Sequence, residues 1–133
     1  MPAHRMPRIT PYLLYEDATR AVDWLTRAFG LRERMANRDA SGRVMHAEMT
    51  LGDDGLVLLG QPPPGYQNPK RLGQKTQSLY VYVDDVDAHC AQARSCGATI
   101  IEEPTEASYG ERRYGAQDPE GHVWYFAAPK RGA

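Results

Sequence analysis

The feature that most constrains the fold of this chain is that its two halves resemble each other. In the first half, residues 12–17 form a strand-like run that ends in two acidic residues and precedes a helical pattern ending at Gly30. In the second half, residues 80–85 precede a similar helical pattern that ends at Gly97. Two copies in the same order indicate one structural module that is repeated.

A turn followed by an apolar strand is repeated in the same way. Residues 118–121 have the Asp-Pro-Glu-Gly composition of a tight turn, and residues 122–127 are rich in aromatic and β-branched side chains. A weaker copy occurs in the first half, where the turn at 52–55 precedes the apolar run 56–60. The spacing between copies is nearly the same for both motifs, which indicates that the whole module is duplicated.

Each half is predicted to contain one helix and four strands. Asp17 and Asp85 have the side chain that helix N-caps prefer, and Gly30 and Gly97 suit the helix C-termini. Between these residues, apolar side chains recur at helical spacing. The predicted strands cover residues 9–15, 31–38, 43–51 and 56–60 in the first module and 78–83, 98–102, 111–116 and 122–127 in the second.

The resulting βαβββ order predicts the fold. One helix covers only one face of a sheet, so the other face needs a partner, and the second module is the obvious one. We therefore predict an α+β fold in which two βαβββ modules pair to form an open, cleft-bearing, β-barrel-like sheet with the helices outside. Residues 1–133 are predicted as one domain, with modules at about 7–60 and 78–128 and a Pro-rich and Gly-rich linker at about 61–77.

The composition narrows the classes of partner. The chain has 16 Lys and Arg against 17 Asp and Glu, so no charge bias favours nucleic acid or an anionic membrane. No apolar run approaches the roughly 20 residues of a membrane span. Cys90 and Cys96 lie on different sides of one predicted helix, where they cannot pair, and this favours reduced thiols and a cytoplasmic location.

Three segments carry a resemblance to a known superfamily. They are EDATRAVDWLTRAFGL in the first helix, YVYVDDVDAHCAQARSCGA in the second module and DPEGHVWYF near the C-terminus. Together they resemble the vicinal oxygen chelate superfamily of glyoxalases, bleomycin resistance proteins and extradiol dioxygenases, and they are most similar to its small PhnB-like branch. The resemblance implies paired βαβββ modules, commonly in homodimers, with a concave site that holds a divalent metal in the enzymes.

The resemblance also implies where metal ligands would lie, namely two His and two acidic residues on the first and last strands of the modules. In this sequence those positions are Thr10, Leu59, Ser78 and Tyr125, with Leu58 as the alternative to Leu59 if the register shifts. None is an ordinary ligand for a catalytic divalent cation. We therefore predict no metal cofactor, with a divalent metal at a displaced site as the alternative.

Side chains alternate along a strand, so the same positions predict which face lines the cleft. Tyrosines dominate that face, and an arginine of the seventh strand is added because it could bind an anionic group. The predicted ligand-binding residues are Thr10, Tyr12, Leu59, Ser78, Tyr80, Tyr82, Arg112 and Tyr125.

The third strand adds two titratable residues to the predicted cleft. Alternation places His46 and Glu48 on the cleft face, together with Val44, and places Met45 under a helix. Side chains two positions apart on a strand are about 7 Å apart, close enough to act on one ligand or ion. His46 and Glu48 are therefore candidate catalytic residues, although an exposed strand would leave both merely solvated.

Three functions are compatible with these features. The favoured one is a metal-free, homodimeric protein that binds an aromatic or antibiotic-like small molecule in a tyrosine-lined cleft. The second is a metal-dependent lyase, isomerase or dioxygenase whose displaced site uses His46 and Glu48. The third is an accessory domain without a ligand. Whether any reaction is catalysed, and whether modules pair within one chain or across a dimer, is left open.

Overall fold

Each half of the chain folds as one main helix on a four-stranded sheet. The computed structural model describes residues 6–107 and 110–129. Within these ranges, no helix has the length and apolar content needed to cross a membrane. In chain order the elements are β1 (Tyr12–Leu14), α1 (Ala18–Phe29), β2 (Arg32–Arg38), β3 (Val44–Leu51), β4 (Gly55–Gly60), α2 (Pro69–Leu72), β5 (Ser78–Tyr82), α3 (Val86–Ser95), β6 (Thr99–Glu106), β7 (Glu111–Gln117) and β8 (Val123–Pro129).

The strands form two separate sheets with the same topology. Their orders are β1-β4-β3-β2 and β5-β8-β7-β6. The first and last strands of each module are parallel, and all other neighbours are antiparallel. This arrangement confirms the predicted α+β fold with two βαβββ modules, and the two sheets are not closed into a barrel.

The helix boundaries follow from the predicted capping residues. The Asp17 side chain accepts a hydrogen bond from the backbone N–H of Arg20 at 2.9 Å, and the Asp85 side chain accepts one from Ala88 at 3.0 Å. Gly30 ends α1 in the left-handed region, with φ of 79°. These interactions satisfy backbone groups that a helix end otherwise leaves without partners.

Strand β1 is shorter than the sequence pattern predicts, and β6 is longer. Ile9 belongs to the predicted first strand, yet it is 90% exposed and lies outside β1. Pro11 has no N–H to offer, although its carbonyl still accepts a hydrogen bond from Leu58 at 2.9 Å. The regular ladder therefore begins only at Tyr12.

The two modules share one hydrophobic core. Phe29, at the C-terminal end of α1, packs edge-on against Phe126 of β8 with ring centroids 4.7 Å apart, and its centroid lies 5.3 Å from that of Trp124. Trp24 of α1 donates a hydrogen bond from Nε1 to the carbonyl of Cys96, at the end of α3, at 2.8 Å. The helix of the first module thus packs directly on the second module.

In each sheet, strand pairing shows which side chains point away from the shared core, on what we name the outer face. It also corrects the predicted face of β4. Leu59 pairs with Leu13 and Ala47, and it is completely buried in the core, so it cannot contact a ligand on the outer face. Leu58 instead shares the outer face with its partners Tyr12 and Glu48.

The predicted faces at the start of β3 are also wrong. Val44 is completely buried, whereas Met45 is 44% exposed. The pairing of β2 with β3 shifts register between Asn37 and Arg38, next to Val44. Such an irregularity interrupts the alternation of side chains on which the prediction relied.

A buried carboxylate, that of Asp118, joins the turn of the second module to Tyr15, the residue that follows β1 in the first module. Asp118 is only 4% exposed, and its Oδ2 accepts hydrogen bonds from the Tyr15 hydroxyl at 2.6 Å and from Trp124 Nε1 at 3.1 Å. Its Oδ1 accepts the backbone N–H groups of Glu120 and His122, both at 3.1 Å. Burial raises the pKa of Asp118, and the hydrogen bonds from Tyr15 and Trp124 oppose that rise.

Glu120 extends this junction to the linker. Its carboxylate accepts the backbone N–H groups of Glu16 at 2.7 Å and Asp17 at 2.9 Å, just before α1. The backbone of Lys70 in α2 donates to the carbonyl of Glu120 at 3.0 Å. A Cβ on Gly121 would lie 2.5 Å from the Lys70 nitrogen, so only glycine permits this close approach. Asp118 and the residues that follow it therefore hold three segments together: the turn of the second module, the residues between β1 and α1, and α2 in the linker.

We expect Asp118→Ala to destabilise the protein strongly, because four donors then lose their acceptor in a buried site. The expected loss in the free energy of unfolding is about 3 kcal/mol or more, and Tyr15→Phe, which removes one hydrogen bond, is expected to cost about 1 kcal/mol. Urea unfolding followed by circular dichroism measures both. Asp53→Ala, in the exposed turn of the first module, is the control. An equal loss in Asp118→Ala and Asp53→Ala would contradict the role of this junction.

Candidate functional site

The outer face of the second sheet presents three neighbouring tyrosines, Tyr80, Tyr82 and Tyr125, which we name the tyrosine platform. Tyr80 and Tyr82 lie on the same side of β5 because they are two residues apart, and Tyr125 of β8 is the direct partner of Tyr80. The Tyr80 and Tyr125 rings are stacked at 6.4 Å and 30°, and Tyr80 meets Tyr82 at 5.7 Å and 72°. Tyr80 is 41% and Tyr82 58% exposed, so the platform is open to solvent.

Glu111 at the start of β7 fixes two of these rings. The Tyr80 hydroxyl donates to Oε1 and the Tyr82 hydroxyl to Oε2, both at 2.7 Å. These hydrogen bonds hold the pKa of Glu111 below its usual value. The platform is therefore pre-ordered around an ionised carboxylate.

Arg113 and Gly115 position the third ring. The guanidinium carbon of Arg113 lies 5.3 Å from the centroid of the Tyr125 ring, and its Nε donates to Glu102 at 2.9 Å. Gly115 is the direct partner of Tyr125, and a Cβ on it would lie 2.7 Å from Tyr125 Cε1. The absence of a side chain at Gly115 allows the Tyr125 ring to lie flat across β7.

A cleft of about 260 Å³ adjoins the platform, between β5 and the first module. Tyr80 and Tyr82 belong to both the cleft and the platform, and the acidic residue Asp54 also lines the cleft. The rest of the wall is mainly apolar and includes Leu31, Leu51, Leu56, Leu79, Val81 and Trp124. A single small molecule could therefore contact aromatic faces and an apolar recess at once.

The outer face of the first sheet carries the candidate catalytic pair. His46 and Glu48 both lie on this face, but they have different partners. The Tyr12 hydroxyl lies 3.0 Å from His46 Nδ1, and Glu48 forms an ion pair with Arg34 at 2.8 Å. A joint catalytic role for His46 and Glu48 stays a prediction.

Arg112 is one of the predicted ligand-binding residues, but it does not lie on the same side of the sheet as the tyrosine platform. Its guanidinium forms two hydrogen bonds of 2.8 Å with Asp87 of α3 and one of 3.2 Å with Glu106, so it is directed to the helix side of the sheet. Arg113 lies on the tyrosine side instead. Side chains alternate along β7, so the residues that share the face of Gly115 are Arg113 and Glu111. Counting back from Gly115 would therefore have selected these two residues for the tyrosine side.

Two further predicted contacts lie near the strand ends. Thr10 precedes β1, is half-buried and donates a hydrogen bond from its hydroxyl to the Pro7 carbonyl at 3.4 Å. Ser78 begins β5, is exposed and pairs with Val123. Both remain predicted ligand-binding residues.

The chain belongs to the glyoxalase, bleomycin resistance protein and dioxygenase superfamily, whose family model matches residues 5–126. This finding confirms the resemblance drawn from the sequence at the level of the superfamily. Its PhnB-like branch stays a prediction.

Several known proteins are similar to this chain over most of its length. TioX from Micromonospora sp. ML1 is 32% identical, with a TM-score of 0.75, and the match covers 93% of this chain and 99% of TioX. An uncharacterized protein of Mycobacterium tuberculosis is 28% identical over 129 residues, or 94% of this chain and 76% of that protein. A glyoxalase/bleomycin resistance protein/dioxygenase family enzyme from Burkholderia phytofirmans PsJN shares the fold, with a TM-score of 0.67 at 18% identity and coverage of 89% and 94%.

Members of this superfamily often bind a divalent metal, which requires imidazole or carboxylate donors at the ligand positions. On the outer faces the ligand positions carry Thr10, Leu58, Ser78 and Tyr125, which offer neutral hydroxyls or a methyl group in place of imidazole and carboxylate. Across residues 6–107 and 110–129, no three His, Cys, Asp or Glu side chains are grouped to hold an ion. These residues do not fit the superfamily's metal.

We expect Gly115→Ala to displace the Tyr125 ring, because the new methyl group occupies the space beneath it. The nuclear Overhauser contacts between the Tyr80 and Tyr125 rings are expected to weaken, while the fold is retained. Gly60→Ala is the matched control, since its methyl group would meet Tyr12 in the other module. If Gly115→Ala leaves the contacts between Tyr80 and Tyr125 unchanged, Gly115 does not position the platform.

Proposed function

We propose that this protein binds an aromatic or antibiotic-like small molecule, without a metal, on the tyrosine platform and in the adjoining cleft. The observation that carries this proposal is the group of three ordered tyrosine rings on one sheet face, two of which, Tyr80 and Tyr82, are exposed. Because the hydroxyls of Tyr80 and Tyr82 are already hydrogen-bonded, these two rings contact a ligand at little cost in conformational entropy.

The size and polarity of the site support an amphipathic ligand. Ligand pockets typically have volumes of about 300–1,000 Å³. The cleft alone, at about 260 Å³, holds only part of such a molecule, and the open platform provides the remaining contact area. Apolar groups suit the recess beside Leu79 and Val81, whereas planar rings suit the tyrosines.

The proposal includes a homodimer. One chain leaves Tyr12, Tyr80 and Tyr82 about half exposed on the two outer faces. A second copy that covers these faces would exclude water from the ligand and enlarge the site. We also place the protein in the cytoplasm, because Cys90 and Cys96 are both free thiols.

The proposal predicts micromolar binding of at least one compound from a panel of aromatic and antibiotic-like molecules, measured by isothermal titration calorimetry. Treatment with a chelator is expected to leave the dissociation constant unchanged. Tyr125→Ala is expected to weaken binding about tenfold, or about 1.4 kcal/mol, near the upper end of what one aromatic contact contributes.

Tyr125→Phe is the matched control, because it keeps the ring and removes only the hydroxyl. It is expected to retain the affinity of the original protein. Equal affinities for Tyr125→Ala and Tyr125→Phe would place the ligand elsewhere. Binding that is lost on chelation would contradict the metal-free mode, and a panel without any binder would contradict the proposed function.

A further inference from the structure

We infer that the ligand of the tyrosine platform carries a positive charge, such as a protonated amine, next to an aromatic or apolar body. This inference rests on the proposed function and defines the chemical class of its ligand. It follows from the hydrogen bonds by which the hydroxyls of Tyr80 and Tyr82 hold the carboxylate of Glu111.

The side chains that donate hydrogen bonds to Glu111 in the described part of the chain are neutral. It accepts hydrogen bonds from two phenol groups, and among the described residues no ion pair joins it to Lys or Arg. Each carboxylate oxygen has more than one lone pair, so both can accept a further donor. A charged donor forms the stronger hydrogen bond with such a group.

Within residues 6–107 and 110–129, the charges near the platform sum to a net negative charge. Arg113 is close enough for its charge to lower the pKa of Glu111, but its ion pair is with Glu102 at 2.9 Å. These two charges cancel, and the charge of Glu111 remains. Asp54, a second acidic residue, lines the cleft that Tyr80 and Tyr82 also line.

The rings themselves favour a cation. The face of an aromatic ring carries partial negative charge and attracts ammonium and guanidinium groups. Arg113 already uses this attraction, since its guanidinium carbon lies 5.3 Å from the centroid of the Tyr125 ring. Tyr80 and Tyr82 in addition bind Glu111 through their hydroxyls, so a carboxylate lies at the edge of two neighbouring aromatic rings.

The first module provides an internal comparison. Tyr12 occupies the position on β1 that Tyr80 occupies on β5, but its hydroxyl is paired with His46. The carboxylate on that face, Glu48, is neutralised by Arg34 at 2.8 Å. In the part of the chain that the structure describes, the first outer face therefore has no surplus negative charge, and a cationic ligand is expected to select the second module.

Three probes of equal size test the charge preference: benzylammonium, benzyl alcohol and benzoate. Their binding is measured by titration of the tyrosine ring signals in NMR spectra of the full chain. We expect benzylammonium to bind about tenfold more tightly than benzyl alcohol, and benzoate to bind most weakly. The signals of Tyr80 and Tyr82 are expected to shift more than that of Tyr12.

Glu111→Gln removes the charge with little change in size and is expected to abolish the preference for benzylammonium over benzyl alcohol. Glu103→Gln is the control, because it changes the net charge equally but Glu103 is paired with Arg94 of α3. If the three probes bind equally well, or benzoate binds best, the charge inference is wrong while aromatic binding stands. If none binds, the inference fails together with the proposed function.

Discussion

The buried carboxylate of Asp118 is the interaction on which the arrangement of the two modules depends. It accepts donors from the residue after β1, from β8 and from its own turn at once, and a group this deeply buried is stable only when its partners are in place. The same turn presents Glu120 to the start of α1, so the helix of one module begins on a carboxylate of the other. The turn that pairs the two modules therefore also holds the N-terminal end of the helix.

This junction also sets the position of the tyrosine platform. Tyr125 lies one residue after Trp124, whose indole is bound to Asp118, and β8 aligns Tyr125 with Tyr80 on β5. Trp124 points into the core and also reaches the wall of the cleft, while Tyr125 points to the outer face. Alternation along one strand thus connects the polar junction, the apolar cleft and the aromatic surface.

The sequence predicts those parts of the structure that depend on local chemistry, and it fails where the outcome depends on distant contacts. The caps at Asp17 and Asp85 follow from side-chain preference alone. The run that contains Leu58 and Leu59 is apolar at every position, so it carries no alternation from which a face can be derived. The hydrogen bonds between Glu111 and the tyrosines join residues about thirty positions apart, and only the pairing of β5, β8 and β7 brings them together.

The loss of the superfamily's metal donors and the presence of the platform are linked through Tyr125. It stands where the resemblance implies a metal-binding acid, and its ring now fills the space above Gly115. A carboxylate restored at this position would have Thr10, Leu58 and Ser78 as its counterparts, none of which supplies charge to a divalent cation. It would also add like charge near Glu111. The residues of the outer face therefore fit together as an aromatic surface around one carboxylate. A single substitution does not convert this surface into a metal site.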